Sequence, residues 1–242
     1  MEVKISEGTN GRDFLVSQQN TTAGKLKRLR LFPMHIITAY LGISTLLHDL
    51  RTRRATAILK RRDHERLIAS HDGEALQQDS ADLVYLYDRV IGSKPVRAIE
   101  FGSGQTTVFI AQALHDLGHG HLWSLDSEAR WLANTEASLP DHLRPFVTFV
   151  HSPVMVHHDY GVPAFRYSVV PPGEWDFVLI DGPALDPQVR LSTDLIDLRL
   201  RKGATGMIDH RWRSAALAKE VAGDRLKLRF MPSLESFAVS AA

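Results

Sequence analysis

The sequence predicts a doubly wound, mostly parallel α/β sheet. Three observations carry that reading. Apolar runs of strand length alternate with segments of helical spacing from residue 80 onward. At the first such junction, Val96 to Ile110, a run ending in Glu100 leads into Gly102 and Gly104 and then a helical pattern. Four apolar runs each close on a carboxylate: Glu100, Asp126, Asp181 and Asp209. In such sheets ligands bind beyond the carboxyl ends of the strands.

Taken in order, residues 1–23 are polar and read as a loose tail. Residues 24–78 read as a basic helical extension, and residues 79–242 as the α/β domain. From Gly24 to Arg62 ten Lys/Arg meet one acid, whereas the chain from Asp63 onward carries 17 bases against 24 acids. A basic segment is therefore joined to an acidic body. Residues 25–62 suit either packing on that body or peripheral contact with an anionic membrane face. Leu31 to His48 has no formal charge. Ile36, Tyr40, Ile43, Leu47 and Leu50 make one helical stripe, while His35, Thr38, Gly42, Thr45 and Asp49 make another. That polar stripe favours a packed helix over a membrane span. Thr52 to Ser70 reads as a second, charged helix, and His71-Asp72-Gly73 as its break.

Ser80 is expected to cap the next helix, with Leu83, Leu86, Tyr87 and Val90 on one face. The strand 96–101 and a helix from about 105 to 116 follow. His121 to Leu125 is a second strand ending at Asp126, Glu128 to Ser138 a helix, and Phe146 to Val150 a third strand. Residues 151–174, containing H-H-D-Y (157–160), read as a long loop. Trp175 to Ile180 is a fourth strand. Asp186 and Pro187 are expected to open a helix that runs toward Gly203. Ala204 to Ile208, a helix over 212–222 and strands near 225–231 and 235–240 complete the chain.

Composition narrows the chemistry. There is no cysteine, which excludes disulfides, thiolate catalysis and cysteine metal sites. The N-terminus lacks the basic-then-apolar order of a signal peptide, so a cytoplasmic protein is expected, with the membrane inner face as the alternative site. The basic segment lacks the aromatic interleaving of single-strand binders, and no nucleic-acid partner is expected.

Four segments in this order resemble the class I S-adenosylmethionine-dependent methyltransferases: E-F-G-S-G-Q-T (100–106), H-L-W-S-L-D-S-E (121–128), W-D-F-V-L-I-D-G-P (175–183) and R-K-G-A-T-G-M-I-D-H (201–210). The resemblance covers about residues 80–242, and its wording is most similar to enzymes that O-methylate small molecules or sugars. It implies a seven-stranded Rossmann-like sheet and S-adenosylmethionine as cofactor. Glu100, Gly102, Ser103, Gly104, Gln105 and Thr106 would seat the methionine end, with Glu100 accepting from its ammonium. Asp126, with Ser127 beside it, would take the ribose diol, and Asp181 would approach the methyl. His151-Ser152 replaces the acid that usually reads adenine, and Trp131 is expected in the core. Asp181, Asp209 and His210 are the expected reaction-side residues, acting on a small-molecule, sugar or lipid-linked hydroxyl. Asp181 and Asp209 also suit one Mg²⁺ or Mn²⁺. Arg211 and Arg213 suit an acidic acceptor. Two alternatives stand beside this reading. One is a non-catalytic, membrane-associated protein on the same scaffold. The other is an NAD(P)-binding oxidoreductase, which Thr107 weakens by standing where a third glycine belongs.

Overall fold

The computed structural model describes residues 43–69, 79–184 and 188–242. The expected tail, the basic lead-in, most of the 31–48 stripe, the break at 71–73 and the Asp186-Pro187 helix start lie outside the described residues.

Helix α1 spans Ile43–Arg61 and α2 spans Glu65–Ala69. The sequence expectation of two helices meeting near residue 50 is corrected here: α1 runs through that point and ends at Arg62–His64. Asp63 turns the chain with φ 60°, and backbone bonds from Arg62, Asp63 and His64 to Ile58, Lys60 and Leu59 close the helix end. Ala55, Leu59 and Leu67 anchor both helices to the core. Among the described residues no helix is long and apolar enough to cross a membrane.

Helix α3 spans Ser80–Ser93. Its cap is Asp79, whose side chain accepts from Ala81 N at 3.0 Å, rather than Ser80. The sheet then follows as β1 Arg97–Phe101, β2 His121–Asp126, β3 Val147–His151, β6 Trp175–Ile180, β7 Leu200–Ile208, β8 Leu226–Met231 and β9 Ser236–Ala241. A separate antiparallel hairpin, β4 Val154–His157 with β5 Ala164–Tyr167, occupies the segment expected to be loop. Helix α4 is Gln105–Leu117, α5 Ala129–Ser138, α6 Asp194–Asp197 and α7 Trp212–Ala222.

The helix expected toward Gly203 is also corrected. Ser192 bridges to Phe165, Asp194 accepts from Tyr167 N at 2.9 Å, and only α6 is helical there. The hairpin claims this stretch. Strand β7 also begins early, because Leu200 pairs with Trp175.

The seven strands lie in the order β3-β2-β1-β6-β7-β9-β8. The five strands β3, β2, β1, β6 and β7 are parallel, and β9 and β8 are antiparallel additions. The chain winds outward from β1 to β3 and returns at β6, so the switch point lies between β1 and β6. Alternation splits the core into two faces. Ala98, Phe177, Leu179 and Met207 face the layer of α1 to α4. Ile99, Phe101, Val178, Ile180 and Ile208 face the hairpin, α6 and α7.

Candidate functional site

At the switch point the chain crosses itself closely. Gly102 has φ +99°, a region that glycine enters without steric cost. A Cβ there would meet Gly182 N at 2.6 Å. Asp181 N donates to Phe101 O at 2.9 Å, Gly182 N also donates to it, and Gly102 N donates to Leu125 O at 2.8 Å. The ends of β1, β2 and β6 are thus tied through one turn. At Gly104 an added Cβ would meet nothing within 4 Å. The open side of the turn therefore lies at the second glycine, over the start of α4. The first N–H groups of a helix lack intrahelical partners and favour an anion.

Glu100 sits behind this turn. Strand alternation places it on the same face as Ala98, beneath α4, and it is 0% exposed. Thr106 Oγ1 donates to one carboxylate oxygen, and Thr107 Oγ1 (2.5 Å) and Ser124 Oγ (2.8 Å) donate to the other. Burial raises its carboxyl to about 7, and the three hydroxyls oppose that rise. Thr107 Oγ1 in addition accepts from Gly104 N at 3.0 Å. The carboxylate expected to greet an ammonium is engaged with the protein itself and braces the turn.

Asp126 is 8% exposed and holds the turn from the β2 side. One oxygen accepts from Ser103 N (2.9 Å) and Ser103 Oγ (2.8 Å), and the other from Glu128 N (2.9 Å). The second oxygen retains acceptor capacity for a diol. Ser127 O is met by His151 Nε2 at 3.2 Å. Ser152 is fully buried, takes Val169 N at 2.8 Å and ties its own N to Asp126 O, so it serves the hairpin base. Trp131 is half-buried with Arg130 over its ring at 4.8 Å, short of the core position expected.

Asp181 and Asp209 continue the alternation of β6 and β7, and so share the α3 side of the sheet. The ladder persists there through Asp209 N donating to Ile180 O at 2.9 Å. Burial first, then the adjacent and hydrogen-bonded Asp209, pushes the Asp181 carboxyl up. Asp209 is 6% exposed and accepts from Ser236 Oγ at 2.6 Å. His210 Nδ1 lies 3.0 Å from the same oxygen, and the imidazole faces solvent. His210 itself has φ 48°, so the chain turns sharply as it leaves β7. Asp181 and Asp209 engage each other and the His210 imidazole lies against the second, so a divalent cation here would draw two carboxylates from the chain and the rest of its shell from water or substrate. Among the described residues no group of three or more His, Asp or Glu could hold a metal ion.

The burial of several groups escaped the sequence reading. Arg211 is 8% exposed and donates through Nη2 to the Asp181 carbonyl, while its Nε and Nη1 are buried without partners. The Tyr167 hydroxyl, likewise unpartnered, lies against Gly182, where a Cβ would be 2.2 Å away. Asp194 is held up at about 7 by burial, against the bond from Tyr167 N. Asp82, in the first turn of α3, is 2% exposed with Oδ1 unpartnered. Its signal was present in the sequence: it stands four residues before Leu86, on the buried stripe. The H-H-D-Y segment, by contrast, is absorbed locally. His157 meets Thr193 Oγ1 at 2.8 Å, and Tyr160 donates to Asp197 at 2.7 Å.

Residues 99–210 match the model of a family described as a methyltransferase domain. No curated protein matches the chain. Among solved structures the chain is similar to a methyltransferase from Geobacter sulfurreducens, at 12% identity over 78% of this chain and 89% of that one, with a TM-score of 0.47. It is also similar to the O-methyltransferase TomG from Streptomyces achromogenes, solved with S-adenosylmethionine, at 13% identity over 74% and 88%, TM-score 0.45. A third is an O-methyltransferase from Bacillus cereus in complex with S-adenosylhomocysteine, at 10% identity over 83% and 97%, TM-score 0.43.

Proposed function

We propose that the chain is a class I S-adenosylmethionine-dependent methyltransferase that O-methylates a small hydroxyl compound, a reading supported by the match of residues 99–210 to a methyltransferase-domain family. The observation that carries the reading is the open turn at Gly104, set between Asp126 on one side and the Asp181–Asp209 pair on the other. The cofactor supplies a methyl group already made electrophilic by a sulfonium. The chain's residues then have three tasks.

The first is seating. The start of α4, with Gln105 and Thr106, suits the cofactor's carboxylate, and the remaining acceptor capacity of Asp126 suits its ribose diol. Ser103 and Ser127 flank that place. The second is alignment. Holding two reactants in line supplies on the order of 7 kcal/mol or more in favourable cases. The turn braced by Glu100, Thr107 and Ser124 is rigid enough to do so, because every hydroxyl in it is spent. The third is removal of the acceptor's proton. A hydroxyl is a poor nucleophile until a base takes that proton, a contribution of about 10²–10⁴-fold. Asp209, oriented by Ser236, accepts it in this reading, with Asp181 alongside. The solvent-facing His210 passes it outward.

The test is direct. Calorimetry should find affinity for S-adenosylmethionine and S-adenosylhomocysteine, and labelled methyl should pass to members of a panel of sugars, phenols and lipid-linked hydroxyls. Absence of any affinity for either nucleoside would end the enzyme reading.

A further inference from the structure

We propose that Asp82, in the first turn of α3, receives the ammonium of the cofactor's methionine portion. This rests on the S-adenosylmethionine reading above and goes beyond it, because the chain's motifs direct that role to Glu100. Glu100 is fully buried beneath α4, and three hydroxyls of the protein donate to its two oxygens. An acceptor for the ammonium must come from elsewhere.

Topology supplies one. Helix α3 precedes β1 and α4 follows it, so both run opposite to the strands. Both helices therefore start at the carboxyl edge of the sheet. They share one core, in which Leu83, Leu86 and Val90 join Val108, Ala111 and Leu114. The first turn of α3 consequently stands beside the Gly104–Thr106 turn. A ligand carboxylate on the first N–H groups of α4 leaves its ammonium one carbon away, on the side that α3 covers.

Asp82 is built for a cation. It is 2% exposed, and its Oδ1 is buried without a partner. An unpaired buried carboxylate is costly, so such groups wait for a partner or hold a proton. An acid in a first helical turn is ordinarily a solvated response to the helix dipole. Here the helix already has its cap in Asp79, and Asp82 faces inward instead. The charged groups around it are Asp209 and Asp181 from the sheet edge, Asp79 from its own helix cap and Arg51 from α1. Arg51 is ion-paired to Asp79. Acids outnumber bases three to one, and burial together with Asp209 pushes the Asp82 carboxyl up to about 8. A ligand ammonium reverses both effects at once.

The experiment uses the full chain and two ligands, S-adenosylhomocysteine and its desamino analogue, in which hydrogen replaces the amine. Wild type should bind S-adenosylhomocysteine at least about tenfold more tightly than the analogue, the scale of one charge-assisted bond. Asp82→Asn should erase that preference and leave the affinity for the analogue within about twofold. Its melting temperature should match or exceed that of wild type, because an unpaired buried acid has been removed. Equal loss for both ligands would make Asp82 merely structural and overturn the proposal. Retained preference in Asp82→Asn would overturn it as well. Should the variant fail to fold, wild type alone decides, since equal affinity for the two ligands leaves no ammonium acceptor to assign. If wild type binds neither ligand, the cofactor reading itself fails and takes this proposal with it.

Discussion

Two glycines, two residues apart, are expected to fail in different ways when each is given a methyl group. In Gly102→Ala the new Cβ would lie 2.6 Å from Gly182 N and 2.9 Å from its Cα. Those atoms are backbone, tied to Phe101 O, and cannot yield cheaply. The φ of +99° adds a penalty of about 1–2 kcal/mol for an L-residue, and overpacking adds about 1–3 kcal/mol. The sum, about 2–5 kcal/mol, lowers the melting temperature of a chain of this size by about 4–20 °C. Gly104→Ala meets nothing within 4 Å, and its φ of 170° is extended backbone open to any residue. Its melting temperature should stay within about 2 °C of wild type, as for an unstrained surface change. Its affinity for S-adenosylhomocysteine should nevertheless fall about 5–100-fold, because the methyl fills the space the ligand needs. Thermal melting and calorimetry on the same preparations separate the two outcomes. Wild-type affinity in Gly104→Ala would remove the ligand from this turn. Wild-type melting in Gly102→Ala would refute the close crossing at the switch point.

Other expected outcomes follow from the same geometry. Asp126→Ala should weaken S-adenosylhomocysteine binding about 10–100-fold, the scale of two lost hydrogen bonds to an ionised group, whereas Asp181→Ala should keep binding within about threefold and cut turnover at least about 100-fold; normal methylation by both variants would show the site to be misplaced. Thr107→Val removes a donor to Glu100 and the acceptor for Gly104 N, and should cost about 1–3 kcal/mol in denaturant unfolding; an unchanged unfolding midpoint would deny Glu100 its bracing role. The ligand-free protein should lose stability as pH rises. Glu100 and Asp194, raised to about 7, and Asp82, raised to about 8, all have folded values above their unfolded ones. The folded state therefore holds more protons between about pH 4 and pH 8, and its stability is greatest below that window and declines through it. Melting curves from pH 5.5 to 8.5 should fall, and Asp82→Asn should flatten the slope; parallel slopes in the two proteins would contradict this. Binding of S-adenosylmethionine near pH 7 should release protons, seen as a heat that varies with buffer ionisation enthalpy; a heat independent of buffer would mean that no carboxyl changes state.

The elements that local pattern determines were legible in the sequence. Four of the five parallel strands show an apolar run closed by an acid, and Asp126, Asp181 and Asp209 stand at the sheet edge where that pattern put them. The stretch from 188 to 199 misled because its local signals were helical, while its conformation is set by pairing with a distant hairpin at Phe165. Strands β4 and β5 are four residues each, too short for period-two alternation to register. Glu100 shows a different limit. A carboxylate after an apolar run can face a ligand or turn inward, and three hydroxyl neighbours, two of them in the next helix, decide which. Arg211 was legible as a charge beside Asp209 but not as a buried group. Its burial comes from Nη2 reaching back to the Asp181 carbonyl, across two strand ends.

The balance of charge at this edge also bears on when the proposed base becomes available. Asp82, Asp126, Asp181, Asp194 and Asp209 are all buried or nearly so, and among these groups Arg211 is the one buried cation. The Tyr167, Asp181 and Asp209 side of the site therefore does not favour the acidic acceptor that Arg211 and Arg213 suggested in the sequence, since a further anion would meet more repulsion than attraction. It favours a positively charged ligand. Before a ligand arrives, burial and Asp209 outweigh the neighbouring Arg211 and push the Asp181 carboxyl up, and a pair that shares a proton is a weak base. In the proposed reading, a sulfonium arriving beside the pair would lower the cost of its ionised form, so the carboxylate that accepts the acceptor's proton would appear when the methyl donor does. Proton release on binding is the signature of that coupling. Once the methyl had left in that reading, the sulfur would be neutral and the electrostatic hold of the edge on the spent nucleoside would weaken. In the proposed reading, the same excess of acids that raises the buried carboxyls of the empty fold would link donor binding, base activation and release within one cluster of side chains.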